Sequence, residues 1–249
     1  MGTGHAIVVS ATSVLAAERT AGSQVCVRGC VIVGLALGTG EPELGPWRIV
    51  ELDDFVALVL DATSASARRP SVVAIDGRSS SGKTTLAARL QGAVDGATTV
   101  HTDDIAWWQS RFEWTELLVE GVLRPVRERT SVRFRPPAWD QRGRSGVIEV
   151  SAEARLVIVE GVGAGRRETA HLLDGIVWVQ ADVNVIERRN AARIASGETD
   201  RDGVTKWMAE EFPFVADQRP WERAFSIVAG TSDLRHDPAN QVVVGQPRA

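Results

Sequence analysis

The chain has 249 residues, a formal net charge of -4 and a hydrophobic fraction of 44%, so it is long enough and apolar enough to bury a full core. The acidic balance argues against a general nucleic-acid or membrane-surface binder. The N-terminus lacks a signal-peptide pattern, and no apolar run is long enough to span a bilayer. Cys26 and Cys30 fit neither a zinc site nor a disulfide scaffold, which predicts reduced thiols in a cytoplasmic protein.

The N-terminal part of the chain has the weakest pattern. Residues 25–33 are typical of one or two strands, and residues 38–46 are rich in turn formers. We therefore predict that residues 1–47 form an N-terminal extension or a small β appendage. Apolar residues at helical spacing then predict a helix over residues 50–60, followed by a polar linker at 62–70.

From residue 71 onward, apolar strand patterns alternate with amphipathic helix patterns. We predict strands at residues 72–76, 98–102, 155–160, 175–180 and 226–229. We predict helices at residues 83–93, 115–122, 183–196 and 203–218. This alternation predicts an α/β fold for residues 48–249, with a parallel sheet between two layers of helices. Because ligands bind beyond the carboxyl ends of such strands, the residues that follow 76, 102 and 160 should share one crevice.

The loop between the first strand and the first helix of this alternation contains Gly-x-x-x-x-Gly-Lys-Thr. Backbone N–H groups of such a loop point at phosphate at the start of a helix, which makes this a P-loop of the NTPase type. Lys83 is then placed to reach the outer phosphates, and the Thr84 hydroxyl to hold Mg²⁺. An ordinary Gly/Ser-rich loop is the alternative, which the flanking strand and helix disfavour. We assign nucleotide binding to Gly77, Arg78, Ser79, Ser80, Ser81, Gly82, Lys83, Thr84 and Thr85.

Acidic residues follow two further predicted strands. Asp103 and Asp104 come after the second strand, where a carboxylate can accept a proton from a substrate hydroxyl or hold Mg²⁺. Their alternative role is to cap a turn or a helix. Glu160 ends the third strand, where an acid beside a P-loop is expected to bind a magnesium-coordinated water. Its alternative role is that of an ordinary exposed glutamate.

Arginines and tryptophans supply the remaining candidates. Arg189 and Arg193 share one face of a predicted helix and can neutralise charge on a transferred phosphoryl group, or else simply face solvent. The segment at about 105–150 is too long for a plain connection, and it is rich in Trp and Arg. Since Trp stacks on flat rings and Arg pairs with anions or hydroxyls, we interpret it as an acceptor-binding and lid insert. Any one of its Trp side chains can instead belong to the core.

These motifs, in this order, resemble the uridine kinase family, which includes ribosylnicotinamide kinases and, more distantly, phosphoribulokinase and bacterial pantothenate kinase. The resemblance covers roughly residues 50–230 and rests on Ile75 to Ala87, Asp103-Asp104-Ile105, Val159-Glu160-Gly161, and Arg188-Arg189 with Arg193. It implies ATP-dependent phosphorylation of a hydroxyl, usually on a ribose-like group. It also implies that Asp103 is the general base, Glu160 the magnesium-associated acid, and Arg189 and Arg193 the lid arginines.

We therefore hypothesise a kinase that uses ATP and Mg²⁺ and acts on a small, nucleoside-like acceptor. Asp103 joins Thr84 and Glu160 as a magnesium candidate, and neither a nucleic-acid nor a membrane partner is expected. Two alternatives remain: an ATPase or nucleotide-dependent switch that acts on a protein partner, and a non-catalytic relative that only binds nucleotide. An oligomer is compatible with all three. The acceptor contacts predicted for the kinase are Asp104, Trp107, Trp139 and Asp140.

Overall fold

The strand that precedes the glycine-rich loop lies at the centre of the fold. In this computed structural model, which describes residues 35–64 and 70–247, every residue of that strand is buried. The strands in chain order are β1 Leu44–Glu51, β2 Ser71–Gly77, β3 Ala97–His101, β4 Val132–Phe134, β5 Ile148–Val150, β6 Leu156–Glu160, β7 Gly175–Gln180, β8 Ser226–Ala229 and β9 Gln241–Pro247.

Seven of these strands form one sheet in the order β1-β9-β8-β7-β2-β6-β3, and β4 pairs with β5 in a separate hairpin. The five strands predicted from the sequence are all present and run parallel to one another, which confirms the predicted α/β fold. The sequence reasoning missed β1, β9 and the hairpin. At one edge, β9 runs antiparallel to β8, and β1 runs antiparallel to β9. Only Leu44 and Trp47 of the eight β1 residues are buried, so this edge strand lacks the continuous apolar run that marks a central strand.

Helices cover both faces of the sheet. The α-helices are α1 Leu52–Ser64, α2 Lys83–Ala93, α3 Thr102–Ala106, α4 Thr115–Leu118, α5 Arg124–Arg127, α6 Pro137–Gln141, α7 Val183–Ala195 and α8 Arg201–Gln218. A π-helical stretch at Val119–Leu123 joins α4 to α5, so the helix predicted at 115–122 continues further than expected. No helix within 35–64 or 70–247 is both long and apolar enough to cross a membrane.

Alternate residues of β2 contact two different cores. Val73 and Ile75 pack with α1 and α2 on one face, where Leu90 is fully buried. Val72 and Ala74 face the other side, against the insert and its buried Trp residues. Each such large apolar side chain stabilises the fold by roughly 1.5–3 kcal/mol relative to exposure. The three-layer arrangement therefore holds the carboxyl end of β2 rigidly.

The first described residues are part of this architecture. β1 runs through the predicted boundary between residues 47 and 48, and Trp47 is only 1% exposed in a third core cluster with Trp178 and Trp221. The strands expected at 25–33, together with Cys26 and Cys30, lie outside the residues that the structure describes.

Candidate functional site

The glycine-rich loop makes a tight turn between β2 and α2. Gly82 has a φ of 106°, a conformation that favours glycine, and α2 begins at the next residue. Gly77 lies so close to β7 that an added Cβ would come within 2.6 Å of the Val179 carbonyl oxygen. The N–H of Ser81 donates to the carbonyl of Arg78 at 3.1 Å. The first N–H groups of a helix have no acceptor within it, so this end of α2 can bind an anion.

Lys83 lies at the start of α2, on the wall of the cleft. Its Nζ donates to the carbonyl oxygen of Arg78 at 2.9 Å, and the residue is 6% exposed. A buried ammonium that bonds a backbone carbonyl can exchange this contact for phosphate oxygens, which accept more strongly because they are charged.

Asp76 is a second buried charge behind the loop, and the sequence reasoning did not single it out. Its carboxylate accepts backbone N–H bonds from Gly77, Gly163 and Gly165 at 2.7, 2.9 and 2.9 Å. Burial raises the pKa of this carboxyl, while the three N–H donors and Lys83 oppose that rise. The segment that follows β6 is thus attached to the glycine-rich loop. An acid at the end of a buried strand is the signal that could have identified it.

Strand register brings a hydroxyl, a carboxylate and an imidazole together. In the sheet, β6 lies between β2 and β3, and Glu160 pairs in register with His101. The Thr84 hydroxyl donates to Oε1 of Glu160 at 3.2 Å, and His101 Nδ1 lies 2.6 Å from Oε2. The hydrogen bond with Glu160 raises the pKa of His101. The described residues hold no group of three or more His, Cys, Asp or Glu suited to a metal.

The donor set therefore fits one kind of ion. One hydroxyl oxygen and one carboxylate oxygen suit Mg²⁺, which keeps several waters and is completed by substrate phosphates. Thr84 and Glu160 are the residues that would hold such an ion or its waters. A zinc site, in contrast, would need three or four protein ligands.

Asp103 occupies the first turn of α3 and faces the same cleft. Its side chain reaches solvent, yet the surrounding protein desolvates it and raises its pKa, an effect that Lys83 partly opposes. A carboxylate with a raised pKa is a better proton acceptor than an ordinary aspartate. The neighbouring Asp104 differs, because it forms an ion pair with Arg144.

The two arginines of α7 have different environments. The guanidinium of Arg189 donates to the carbonyl oxygens of Ser80 at 2.7 Å and Gly230 at 3.1 Å. Arg193 instead pairs with Glu198 at 2.8 Å, and both side chains are about half exposed. Arg189 therefore bridges the glycine-rich loop to the end of β8, whereas Arg193 is free to exchange its exposed partner for a ligand.

These elements enclose one cleft of about 980 Å³ beyond the carboxyl ends of β2, β3 and β6. Three residues of the assigned nucleotide motif, Gly77, Arg78 and Ser81, lie in the loop without lining the cleft. The predicted site residues that do line it are Ser79, Ser80, Gly82, Lys83, Thr84, Thr85, Asp103, Glu160, Arg189 and Arg193.

The four predicted acceptor residues are placed differently, and the cleft wall does not include them. Trp139 is buried and its indole N–H donates to the Asp104 carbonyl at 3.0 Å. Trp107 meets Trp108 edge to face. Asp140 is exposed and pairs with Arg135 at 2.7 Å.

Side chains of α7 and α8 that the sequence reasoning did not assign also contact the glycine-rich loop. Glu211 accepts the N–H of Ser79 at 2.6 Å, and the Trp207 indole donates to the Ser79 hydroxyl. The Ser80 hydroxyl donates to Asn190 at 2.7 Å. Amphipathic spacing predicts these helices, but it carries no signal for which of their residues meet a distant loop.

Three solved structures align with this chain at low sequence identity. A protein described as a possible uridine kinase from Bacillus stearothermophilus is 20% identical, with a TM-score of 0.45 and coverage of 71% of this chain and 98% of that one. A protein from Silicibacter sp. TM1040, whose name describes it as a fructose transport system kinase, is 17% identical, with a TM-score of 0.49 and coverage of 70% and 96%. The Thermus thermophilus protein TT1252 is 20% identical, with a TM-score of 0.39 and coverage of 66% and 90%.

The resemblance to the uridine kinase family recurs in the name of one of these neighbours. At these identities and TM-scores, however, the likeness does not identify an activity for this chain. No protein-family model matches the sequence, and no curated protein is similar enough to match it.

Proposed function

We propose that this protein is a small-molecule kinase that transfers the γ-phosphate of ATP to a hydroxyl group, with Mg²⁺ as its cofactor. The observation that carries the proposal is the meeting of three features in one cleft. These are the glycine-rich loop with Lys83, the Thr84–Glu160 oxygen pair, and the desolvated carboxylate of Asp103. A nucleotide-binding protein without phosphotransfer has no need of the third feature.

The arrangement suggests a role for each group. The acceptor hydroxyl gives its proton to Asp103 while its oxygen bonds to the γ-phosphorus, and the bond from that phosphorus to the β–γ bridging oxygen breaks. The products are ADP and a phosphate ester. Lys83, Arg189 and Arg193 stabilise the negative charge on the moving phosphoryl group. Thr84 and Glu160 would hold Mg²⁺, which would supply positive charge to the phosphate oxygens of ATP.

We propose a nucleoside-like acceptor, on the strength of the motif resemblance and of the cleft itself. Beyond Asp103, the wall continues through Gln109, Arg111 and the indole of Trp207. An amide, a guanidinium and an aromatic surface are groups that bind hydroxyls and a flat ring. We propose that Asp104, Trp107, Trp139 and Asp140 support this wall from within the insert, where Trp139 bonds the backbone of Asp104 next to Asp103.

The first test of this proposal is ADP release from magnesium-ATP, alone and with a panel of nucleosides, nucleoside antibiotics, ribosylnicotinamide and pantothenate. We expect ADP only with one acceptor class, together with a product heavier by one phosphate in mass spectrometry. Slow hydrolysis that no acceptor accelerates would instead favour the ATPase or switch function.

The second test compares adjacent aspartates. Asp103→Asn should lower kcat by about 10²–10⁴-fold, the usual contribution of a general base, while Mg-ATP binding persists. Asp104→Asn is the matched control for the chemical step, because it makes the same chemical change in a side chain that pairs with Arg144; we expect any loss in this variant to appear in the acceptor KM and not in kcat. Equal activity in wild type and Asp103→Asn would contradict the assigned base.

A further inference from the structure

The segment before β1 crosses the carboxyl end of the sheet beside the proposed nucleotide site. We call residues 36–42 the N-terminal strap. The N–H of Ala36 donates to Asp182 at 3.0 Å, and the N–H of Val183 donates to the Ala36 carbonyl at 2.8 Å. The Gln180 side chain donates to the Pro42 carbonyl at 3.1 Å. The strap is thereby attached to the end of β7 and to the start of α7.

The strap also contacts the glycine-rich loop through a buried ion pair. Nε of Arg78 donates to Oε1 of Glu41 at 2.5 Å, and the two side chains are 2% and 1% exposed. The guanidinium lies over the ring of Phe212 in α8, with its carbon 4.3 Å from the ring centroid. Gly38 leaves room for it, since a Cβ there would come within 1.9 Å of Nη2. Backbone, carboxylate and aromatic ring therefore enclose the guanidinium together.

A charge that is enclosed in this way is stable only while its oppositely charged partner remains beside it. Three polar atoms of this pair have no hydrogen-bond partner among the described residues. They are both Nη atoms of Arg78 and Oε2 of Glu41. Burial raises the pKa of Glu41, and the charge of Arg78 opposes that rise. Removing one partner of a buried pair leaves the other charge uncompensated, which costs far more than removing both.

The Arg78 backbone connects this pair to the phosphate-binding groups. Its carbonyl oxygen accepts hydrogen bonds from both Nζ of Lys83 and the N–H of Ser81. A rotation of residue 78 would therefore move the acceptor that now holds the lysine. The other end of the strap bonds Asp182, whose carboxylate also caps α7, the helix that carries Arg189.

We propose that Glu41 is a positioning residue for nucleotide binding and that the strap, acting through Arg78 and Asp182, holds the glycine-rich loop and α7 in register. This rests on the proposed function only in taking the cleft as the Mg-ATP site. The strap makes a residue far away in sequence a determinant of ATP affinity. The acceptor side of the cleft does not depend on it.

The test measures binding of Mg-ATP by titration calorimetry on the full-length protein, with no acceptor present. We expect Glu41→Gln to raise the dissociation constant about tenfold and, in turnover assays, to leave the acceptor KM within about twofold of wild type. Glu222→Gln is the matched control, because Glu222 pairs with Arg219 at 3.2 Å on the surface. This control should bind Mg-ATP as wild type does.

Two further variants separate positioning from general stability. The double variant Glu41→Gln with Arg78→Met removes both charges, and we expect its dissociation constant to return to within about threefold of wild type. Gly38→Ala keeps both charges but displaces the guanidinium, so it should weaken binding as Glu41→Gln does. It also provides a readout if Glu41→Gln fails to fold.

Two results would overturn the proposal. One is an unchanged dissociation constant in Glu41→Gln and Gly38→Ala, even if their thermal midpoints fall. The other is a double variant that binds Mg-ATP no more tightly than Glu41→Gln alone. The kinase proposal fails separately, by the absence of any phosphorylated acceptor while wild type still binds Mg-ATP.

Discussion

The nucleotide wall and the acceptor insert of the cleft are built on different principles. The nucleotide wall, residues 76–84, is contiguous in sequence, and its polar groups bond both to buried backbone groups and to buried side chains such as Glu41 and Glu211. The insert, at about 105–150, carries exposed ion pairs such as Arg133–Glu149 and Arg124–Glu120. Exposed pairs contribute only about 0–1 kcal/mol each and rearrange easily. Under the proposed function, phosphate binding would rest on a well-connected wall, whereas acceptor choice would rest on a segment whose exposed side chains can rearrange.

The largest expected effect comes from the nucleotide wall. Lys83→Met should lower kcat/KM by about 10³-fold or more, because it removes a positive charge that acts in a buried site on the phosphoryl group. The chain offers an ideal control, since its one other lysine, Lys206, is exposed and pairs with Asp202. Lys206→Met should retain wild-type rates in the same assay. Comparable losses in both variants would show that general charge, and not position, matters.

A smaller effect is expected where the wall holds magnesium. Glu160→Gln should lower kcat by about 10–100-fold, the usual cost of disturbing a metal-supporting group. It should also raise the Mg²⁺ concentration that gives half-maximal activity, as a magnesium titration at saturating ATP would show. Glu149→Gln, a change in an exposed pair of the insert, is the control. A magnesium requirement identical to wild type would remove Glu160 from the metal site.

The pH dependence of activity tests whether Asp103, which lies between the nucleotide wall and the insert in sequence, is the general base. Desolvation by the surrounding protein, which Lys83 partly opposes, raises the pKa of this solvent-accessible carboxyl above the usual aspartate range, and a base acts only when deprotonated. Activity should therefore fall as pH drops through this raised pKa, about tenfold per pH unit below it, and level off above it. The measurement is kcat/KM for the acceptor against pH. The residual activity of Asp103→Asn should lack this acid limb, and an unchanged limb would assign it to another group.

The smallest effect is expected for the exposed ion pair between Arg193 and Glu198 at the end of α7. Glu198→Gln frees Arg193 from an ion pair whose members are about half exposed, so kcat should change by less than about fivefold. The difference from wild type should shrink further at high salt, where surface pairs are screened. Steady-state rates at low and high ionic strength measure this. A change of 10²-fold in kcat would contradict this expectation, because it would mean that the Arg193–Glu198 pair controls the reaction rate.

Much of the fold could be predicted because its central signals are local. Continuous apolar runs marked β2, β6 and β7, and each is buried as expected. The edge strand β1 was missed because only two of its eight residues are buried, so it lacks a continuous apolar run. In the site, the phosphate loop is one contiguous motif, so its position at the end of β2 followed from the sequence. The contacts that Glu211 and Trp207 make with Ser79 join positions more than a hundred residues apart.

The sequence by itself determined the alternation of strands and helices along the chain, the position of the glycine-rich turn, and the residue types at each strand end. These depend on spacing along the chain and on the conformations that glycine and apolar runs adopt. Only the tertiary structure decided that Glu160 pairs with His101 and Thr84, that Asp140 faces solvent, and that Glu41 neutralises Arg78. Such contacts arise from strand register and helix packing, where burial and charge pairing are set by neighbours that are remote in sequence.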